Sequence, residues 1–213
     1  RDVLGSRGLG DVYKRQVMSC LLFSGCGGQS EQKKFVITYL PNESTDKNAD
    51  ARKGMAGDLS KVLGMEVTEL VSNDYNAVIE AMRTGKADMA YFGPLSFCLA
   101  YERAGAEPIG MIAKDKDKKN ATYKSVLVTS SKNTDINSIQ DIKGKTMAFV
   151  DPNSTSGNLI PSAAIMKAFP GEKLSMDDLH TNGKFFQAVS FSGKHQAGLA
   201  AVVKLSLIHI SEP

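Results

Sequence analysis

The sequence predicts an α/β fold built on parallel sheet, and three observations carry that expectation. Short, nearly uniformly apolar runs recur along the chain. Helical patterns separate them at regular intervals. The loops after these runs carry glycine, proline or hydroxyl residues. A strand covered by helices on both faces loses the polar alternation of a half-exposed sheet, so this arrangement points to parallel pairing. A chain of 213 residues, 42% apolar and 23% charged, is long enough for one large domain or two small lobes.

The ends stand apart. Residues 1–16 show no apolar period and join abruptly to Val17. They resemble translated sequencing-adapter sequence, as does the stretch around Leu207-Ile208-His209-Ile210-Ser211-Glu212-Pro213. Residues 1–16 and 205–213 are therefore set outside the predicted fold. Residues 17–26 are a short apolar run ending in small residues. Leu22-Phe23-Ser24-Gly25-Cys26 resembles the lipobox of a bacterial lipoprotein signal peptide, with Phe23 in place of the usual leucine. Cys26 is then the lipidation site and residues 27–34 a polar tether.

The first lobe is expected over residues 35–115. Phe35–Leu40 reads as a strand. Asn48–Gly64 reads as a helix with Met55, Leu59, Val62 and Leu63 on its inner face. Met65–Val71 is a second strand. Ser72-Asn73-Asp74 caps a helix through Met82, with Ala77, Val78, Ala81 and Met82 inward, and Gly85 ends it. Ala87–Phe92 is a third strand, Gly93-Pro94 opens a helix to Ala104, and Pro108–Ala113 is a fourth strand. The charged run Lys114–Ala121 reads as a crossover.

The second lobe is expected over residues 116–204. Tyr123–Ser130 reads as a strand and Ile136–Ile142 as a short helical turn. Thr146–Val150 is a buried strand, and Asn158–Phe169 the helix after it. Lys184–Phe191 is another strand. Ser192-Gly193-Lys194-His195 turns into a last helix, Gln196–Lys204. These strands are too few to complete a sheet, so the second lobe reads as truncated.

Several function classes lose support. A net charge of +3, with the lysines of the crossover interleaved with aspartate, gives no nucleic-acid footprint. No run of about 18 apolar residues suggests a membrane span. The three cysteines lack zinc spacing and the three histidines are dispersed, so no metal or cofactor is expected. Gly144-Lys145-Thr146 imitates the end of a nucleotide-binding P-loop, but Ile139 stands where that motif needs glycine, and Lys145 opens a strand. No Gly-x-Ser-x-Gly elbow supports nucleophilic catalysis.

The most informative stretch is Asp151-Pro152-Asn153-Ser154-Thr155-Ser156-Gly157, between a buried strand and a helix. Pro152 stops the strand and Gly157 permits a tight turn. A helix start offers unpartnered N–H groups and the positive end of the dipole. One cap needs one hydroxyl; three make a site for a tetrahedral oxyanion, at a strand-to-helix junction where open α/β sheets place ligands.

Read with Tyr75, Tyr91-Phe92-Gly93-Pro94-Leu95-Ser96, Tyr123-Lys124-Ser125-Val126-Leu127-Val128 and Gly193-Lys194-His195, this stretch resembles the phosphonate/phosphite/phosphate-binding proteins of bacterial ABC importers, from about Phe35 to Lys204. The resemblance implies a type II periplasmic binding-protein fold: two α/β lobes joined by a hinge and closing on ligand in the cleft. It implies that Ser154, Thr155 and Ser156 hold the phosphorus oxyanion, that His195 donates to the same oxygens, and that Tyr75 and Tyr123 donate from the other side. Tyr91 and Gly157 are weaker candidates. It further implies a permease partner and no catalysed reaction; together with the lipobox-like stretch it points to a periplasmic or cell-surface location with a lipid anchor, and a monomer is expected. The alternatives are a sensory domain of an oxyanion signalling system and, more remotely, an oxyanion-handling hydrolase.

Overall fold

The computed structural model describes residues 33–41, 46–113, 115–205 and 208–211. The adapter-like start, the lipobox with Cys26 and most of the tether lie outside the described residues.

Two sheets organise the chain from Lys34 onward, which forms one compact unit. In the first sheet β1 (Phe35–Tyr39) lies between β2 (Val67–Leu70) and β3 (Met89–Tyr91), all parallel. The helices α1 (Ala49–Leu63), α2 (Tyr75–Arg83) and α3 (Pro94–Ala104) complete this half. In the second sheet the order is β4 (Val126–Thr129), β7 (Ile208–Ser211), β5 (Thr146–Phe149), β6 (Ala188–Phe191). Here β5 runs parallel to β6 and β7, and β4 antiparallel to β7. The helices α4 (Ile160–Ala168), α5 (Met176–His180) and α6 (His195–Leu205) belong to this half. Its core gathers Met147, Phe149, Ile165, Leu179, Phe186 and Ile208.

Local chemistry sets most boundaries. Asp74 caps α2 by accepting from Ala77 N at 2.7 Å. Pro94 sits in the first turn of α3, where its missing N–H costs nothing. Gly64 and Gly105 close α1 and α3 in the left-handed conformation.

Four expectations are corrected. Pro108–Ala113 is not a strand: no described strand pairs with it, and Ile109, Met111 and Ile112 are exposed. An apolar run becomes a strand only where a ladder accepts its N–H and C=O groups, and Pro108 and Gly110 weaken this one further. Second, α1 does not bury its expected face; Met55, Val62 and Leu63 are exposed. Arg52 instead meets Glu69 of β2 at 2.9 Å and lies over the Tyr39 ring, which turns the face bearing Arg52 and Ala56 to the sheet. Third, α2 buries Ile79 as well as Val78 and Ala81, while Ala77 and Met82 are half-buried.

The fourth concerns the C-terminal stretch set outside the predicted fold. It supplies β7, inserted between β4 and β5, with Ile208 and His209 buried. Alternating β-branched residues suit a strand, and the slot offers unpaired edges on both sides. His209 Nδ1 donates to the Ala148 carbonyl at 2.9 Å, and its ring lies against Gly198 of α6, where a Cβ would overlap it.

Candidate functional site

The site is built at the carboxyl ends of the parallel strands. From β5 the chain passes through Val150 into Asp151–Gly157. The Asp151 carboxylate accepts from Asn153 N at 2.8 Å, and the Asp151 carbonyl accepts from Ser154 N at 2.9 Å. Ser154 caps the next helical turn: its Oγ accepts from Gly157 N at 3.0 Å. The helix opens as a π turn, Thr155–Leu159, in which Leu159 N donates to Ser154 O at 3.1 Å and Ile160 N to Thr155 O. Single π turns are frequent at functional sites. Val150 N donates to Gly157 O at 3.0 Å and Ser125 Oγ to Ser156 O at 2.6 Å, tying the turn to its own strand and to the segment leading into β4.

The three hydroxyls are thereby distinguished. Ser154 and Ser156 are buried, and the Ser154 oxygen serves as the cap. Thr155 is half-buried, and its Oγ1 accepts from Leu95 N of the first half at 2.8 Å. Leu95 lies in the first turn of α3, so two helix starts meet across one threonine hydroxyl. At Gly93, a Cβ would sit 3.3 Å from Thr155 Oγ1 and 3.9 Å from the Tyr123 hydroxyl, which places Tyr123 at the same junction. Two positive dipole ends converging with a hydroxyl and a phenol favour an anion.

The remaining candidates lie at the ends of neighbouring elements. Tyr91 ends β3 two residues before Gly93 and is half-buried. Tyr75 opens α2, and its ring is buried with Leu40, Val78 and Val150, where the two halves touch. Burial pushes the Asp151 carboxyl up, backbone N–H bonds from Asn153 and Tyr75 pull it down, and Asp74 adds to the rise. Asp151 therefore joins the hydroxyl turn to the start of α2. Gly157 is not among the positive-φ glycines; its missing side chain lets the turn lie on Val150, so the expected turn-forming role is corrected to close packing.

His195 opens α6 and is buried. Its turn is fixed to the end of β5 by Ser192 N to Phe149 O at 2.9 Å and Gly193 N to Val150 O at 2.7 Å, so it leaves the same sheet edge as the hydroxyl turn. The His209 ring lies 6.3 Å from it, centroid to centroid. Burial lowers the His209 pKa, with His195 among the smaller causes. A separate cavity of about 180 Å³ beneath α1 lies apart from this chemistry, and its Arg52 is already answered by Glu69.

Sequence reasoning quotes Asp151 and Leu95 as members of their motifs without giving either a role, and does not single out His209 or the pair Asn158 and His180 behind the turn. Gly93-Pro94 signals the helix start that brings Leu95 in; the others carry no local signature.

The chain matches, over residues 37–206, the family described as ABC transporter, phosphonate, periplasmic substrate-binding protein. It is 31% identical over 157 residues to the phosphate-import protein PhnD of Mycolicibacterium smegmatis, covering 69% of this chain and 49% of that one. A Prochlorococcus marinus PhnD1, named for phosphite binding, is 32% identical over 194 residues, covering 87% of this chain and 61% of that one. The solved structure of P. marinus PhnD1 with methylphosphonate superposes with a TM-score of 0.64 at 23% identity, over 84% of this chain and 64% of that one. The fold is that of the type II periplasmic binding proteins. The chain spans about half the length of the M. smegmatis relative.

Proposed function

We propose, from the premise that this chain belongs to the family of periplasmic substrate-binding proteins of phosphonate ABC transporters, that it captures a phosphonate, phosphite or related phosphorus oxyanion and delivers it to an importer permease. The observation that carries this reading is the meeting of two helix starts at Thr155. An entering oxyanion would take over Leu95 N–H from Thr155 Oγ1 and gain the threonine as a donor. Ser154, Ser156 and Gly157 shape the turn that presents these groups. Tyr123 and His195 donate from the segment leading into β4 and from the start of α6. Tyr75 and Tyr91 complete the wall from the first half. Neutral donors suffice, because each charge-assisted hydrogen bond is worth about 1.5–3 kcal/mol. Four to six of them, less the cost of lost freedom, reach micromolar affinity or better. Closure is a population shift driven by a ligand that touches both halves. The protein works as a monomer in the periplasm, held to the membrane through Cys26, and catalyses no reaction.

Titration calorimetry with methylphosphonate, aminoethylphosphonate, phosphite and phosphate tests this. A dissociation constant of about 10 μM or lower for at least one of them is expected. Silence across all four refutes the ligand class.

A further inference from the structure

Asn158 and His180 lie behind the hydroxyl turn. Asn158 is 2% exposed and sits inside the π turn. Its Nδ2 donates to the Pro152 carbonyl at 2.9 Å, closing a ring across the segment that carries Ser154, Thr155 and Ser156. The Asn158 Oδ1 faces His180 Nε2 at 2.7 Å and Ser162 Oγ at 3.4 Å. An amide oxygen only accepts, so the proton on this contact belongs to His180 Nε2. Asn158 is thereby held in one orientation, since the flipped amide would set its NH₂ against the donor and its oxygen against the Pro152 carbonyl.

His180 itself is placed by packing. Its ring meets Phe149 edge-on at 5.0 Å and Phe191 at 5.2 Å. A phenyl ring would satisfy those contacts; the imidazole adds a donor aimed at Asn158. Burial keeps the ring toward its neutral form, opposed by Asp177, and the neutral Nε2–H tautomer makes this bond. From His180 the chain of contacts runs through Asn158 to Pro152, the second residue of the turn.

We propose that His180, acting through Asn158, is a positioning residue that fixes the shape of the oxyanion-receiving turn without touching the ligand. The inference rests on the binding role proposed for that turn. A buried polar chain of this kind has a single satisfied arrangement, and breaking one link leaves the Asn158 oxygen short of its main donor. The turn then samples shapes in which the Thr155 hydroxyl no longer meets the start of α3.

The test combines amide hydrogen exchange over residues 151–158 of the ligand-free protein with titration calorimetry for methylphosphonate. His180→Phe keeps the aromatic contacts and removes the donor. His180→Gln returns an N–H at the Nε2 position. The expected result is exchange about tenfold faster and binding about tenfold weaker in H180F, with both within about threefold of wild type in H180Q. Asn158→Ala reproduces H180F, and the double variant adds less than about twofold, because both act in one chain. Unchanged exchange in H180F, or H180Q as impaired as H180F, overturns the proposal. If wild type binds no ligand, the binding role falls, and the exchange comparison still decides whether His180 holds the turn.

Discussion

A side chain at position 157 would overlap both Cβ and Cγ2 of Val150 and come 2.8 Å from Ser154 Oγ. The obstacle is backbone-proximal on both sides, so no rotamer relieves it. Gly157→Ala should therefore destabilise the protein by about 1–3 kcal/mol, read from urea unfolding. Val150→Ala should not rescue it, because the offending Cβ remains; a rescue would show that the turn can lift off β5. Ser154 illustrates a different limit of the sequence. Three hydroxyls in a row look equivalent on paper, and nothing local says which is consumed. Folding assigns Ser154 to the cap, buries Ser156 and leaves Thr155 facing α3. Ser154→Ala should cost about 1 kcal/mol of stability, the usual worth of a cap. An unchanged unfolding midpoint would mean that the Gly157 N–H finds another acceptor.

Elements are legible where their signals are local. Apolar runs bounded by Gly, Pro or Asp place β1, β2, β3, β5 and β6, and Asp74 and Gly93-Pro94 place the starts of α2 and α3. Pro108–Ala113 misleads because strand formation depends on a partner elsewhere in the chain, which periodicity cannot see. The inner face of α1 misleads because the helix turns Arg52 and Ala56, not Met55 and Val62, to the sheet, and the contact with Glu69 that marks that face has no local signature. Helix α5 is only five residues long, too short to show a period. It survives on its cap: Ser175 Oγ accepts from Asp178 N at 3.2 Å, and the Asp178 carboxylate accepts from Ser175 N at 3.0 Å. The Ser175 hydroxyl and backbone N–H, with Lys184, hold the Asp178 carboxyl at about 2, below its usual 3.8. A folded-state value below the unfolded one stabilises above about pH 4 and loses that contribution as pH falls toward 2. Asp178→Asn should lower Tm by about 2–4 °C at pH 6, and by visibly less at pH 3. A deficit of equal size at both values would assign the effect to packing. Because α5 ends on His180, loosening its cap also loosens the donor behind the hydroxyl turn.

At the scale of the whole molecule, three kinds of contact among the described residues join the two halves next to the proposed ligand position. Leu40, Tyr75 and Val78 pack on Val150; Asp151 accepts from the start of α2; Thr155 accepts from the start of α3. Each is long-range in sequence, which is why the residues can be named from motifs while their convergence cannot. An anion bound at the proposed position would interact with both halves at once, and so stabilise the closed form and with it the folded chain. At a ligand concentration 100 times the dissociation constant, binding adds about 2.7 kcal/mol, or roughly 5–11 °C in Tm for a chain of this size. Thr155→Ala removes both the bond to Leu95 and the proposed ligand donor, and should weaken binding at least about tenfold. At that same ligand concentration its Tm rise should fall by about half. Thr155→Ser keeps the oxygen and should keep most of the shift. If alanine and serine behaved alike, the hydroxyl would be a bystander, and the ligand would have to be held from one half alone, with no reason for the halves to close on it.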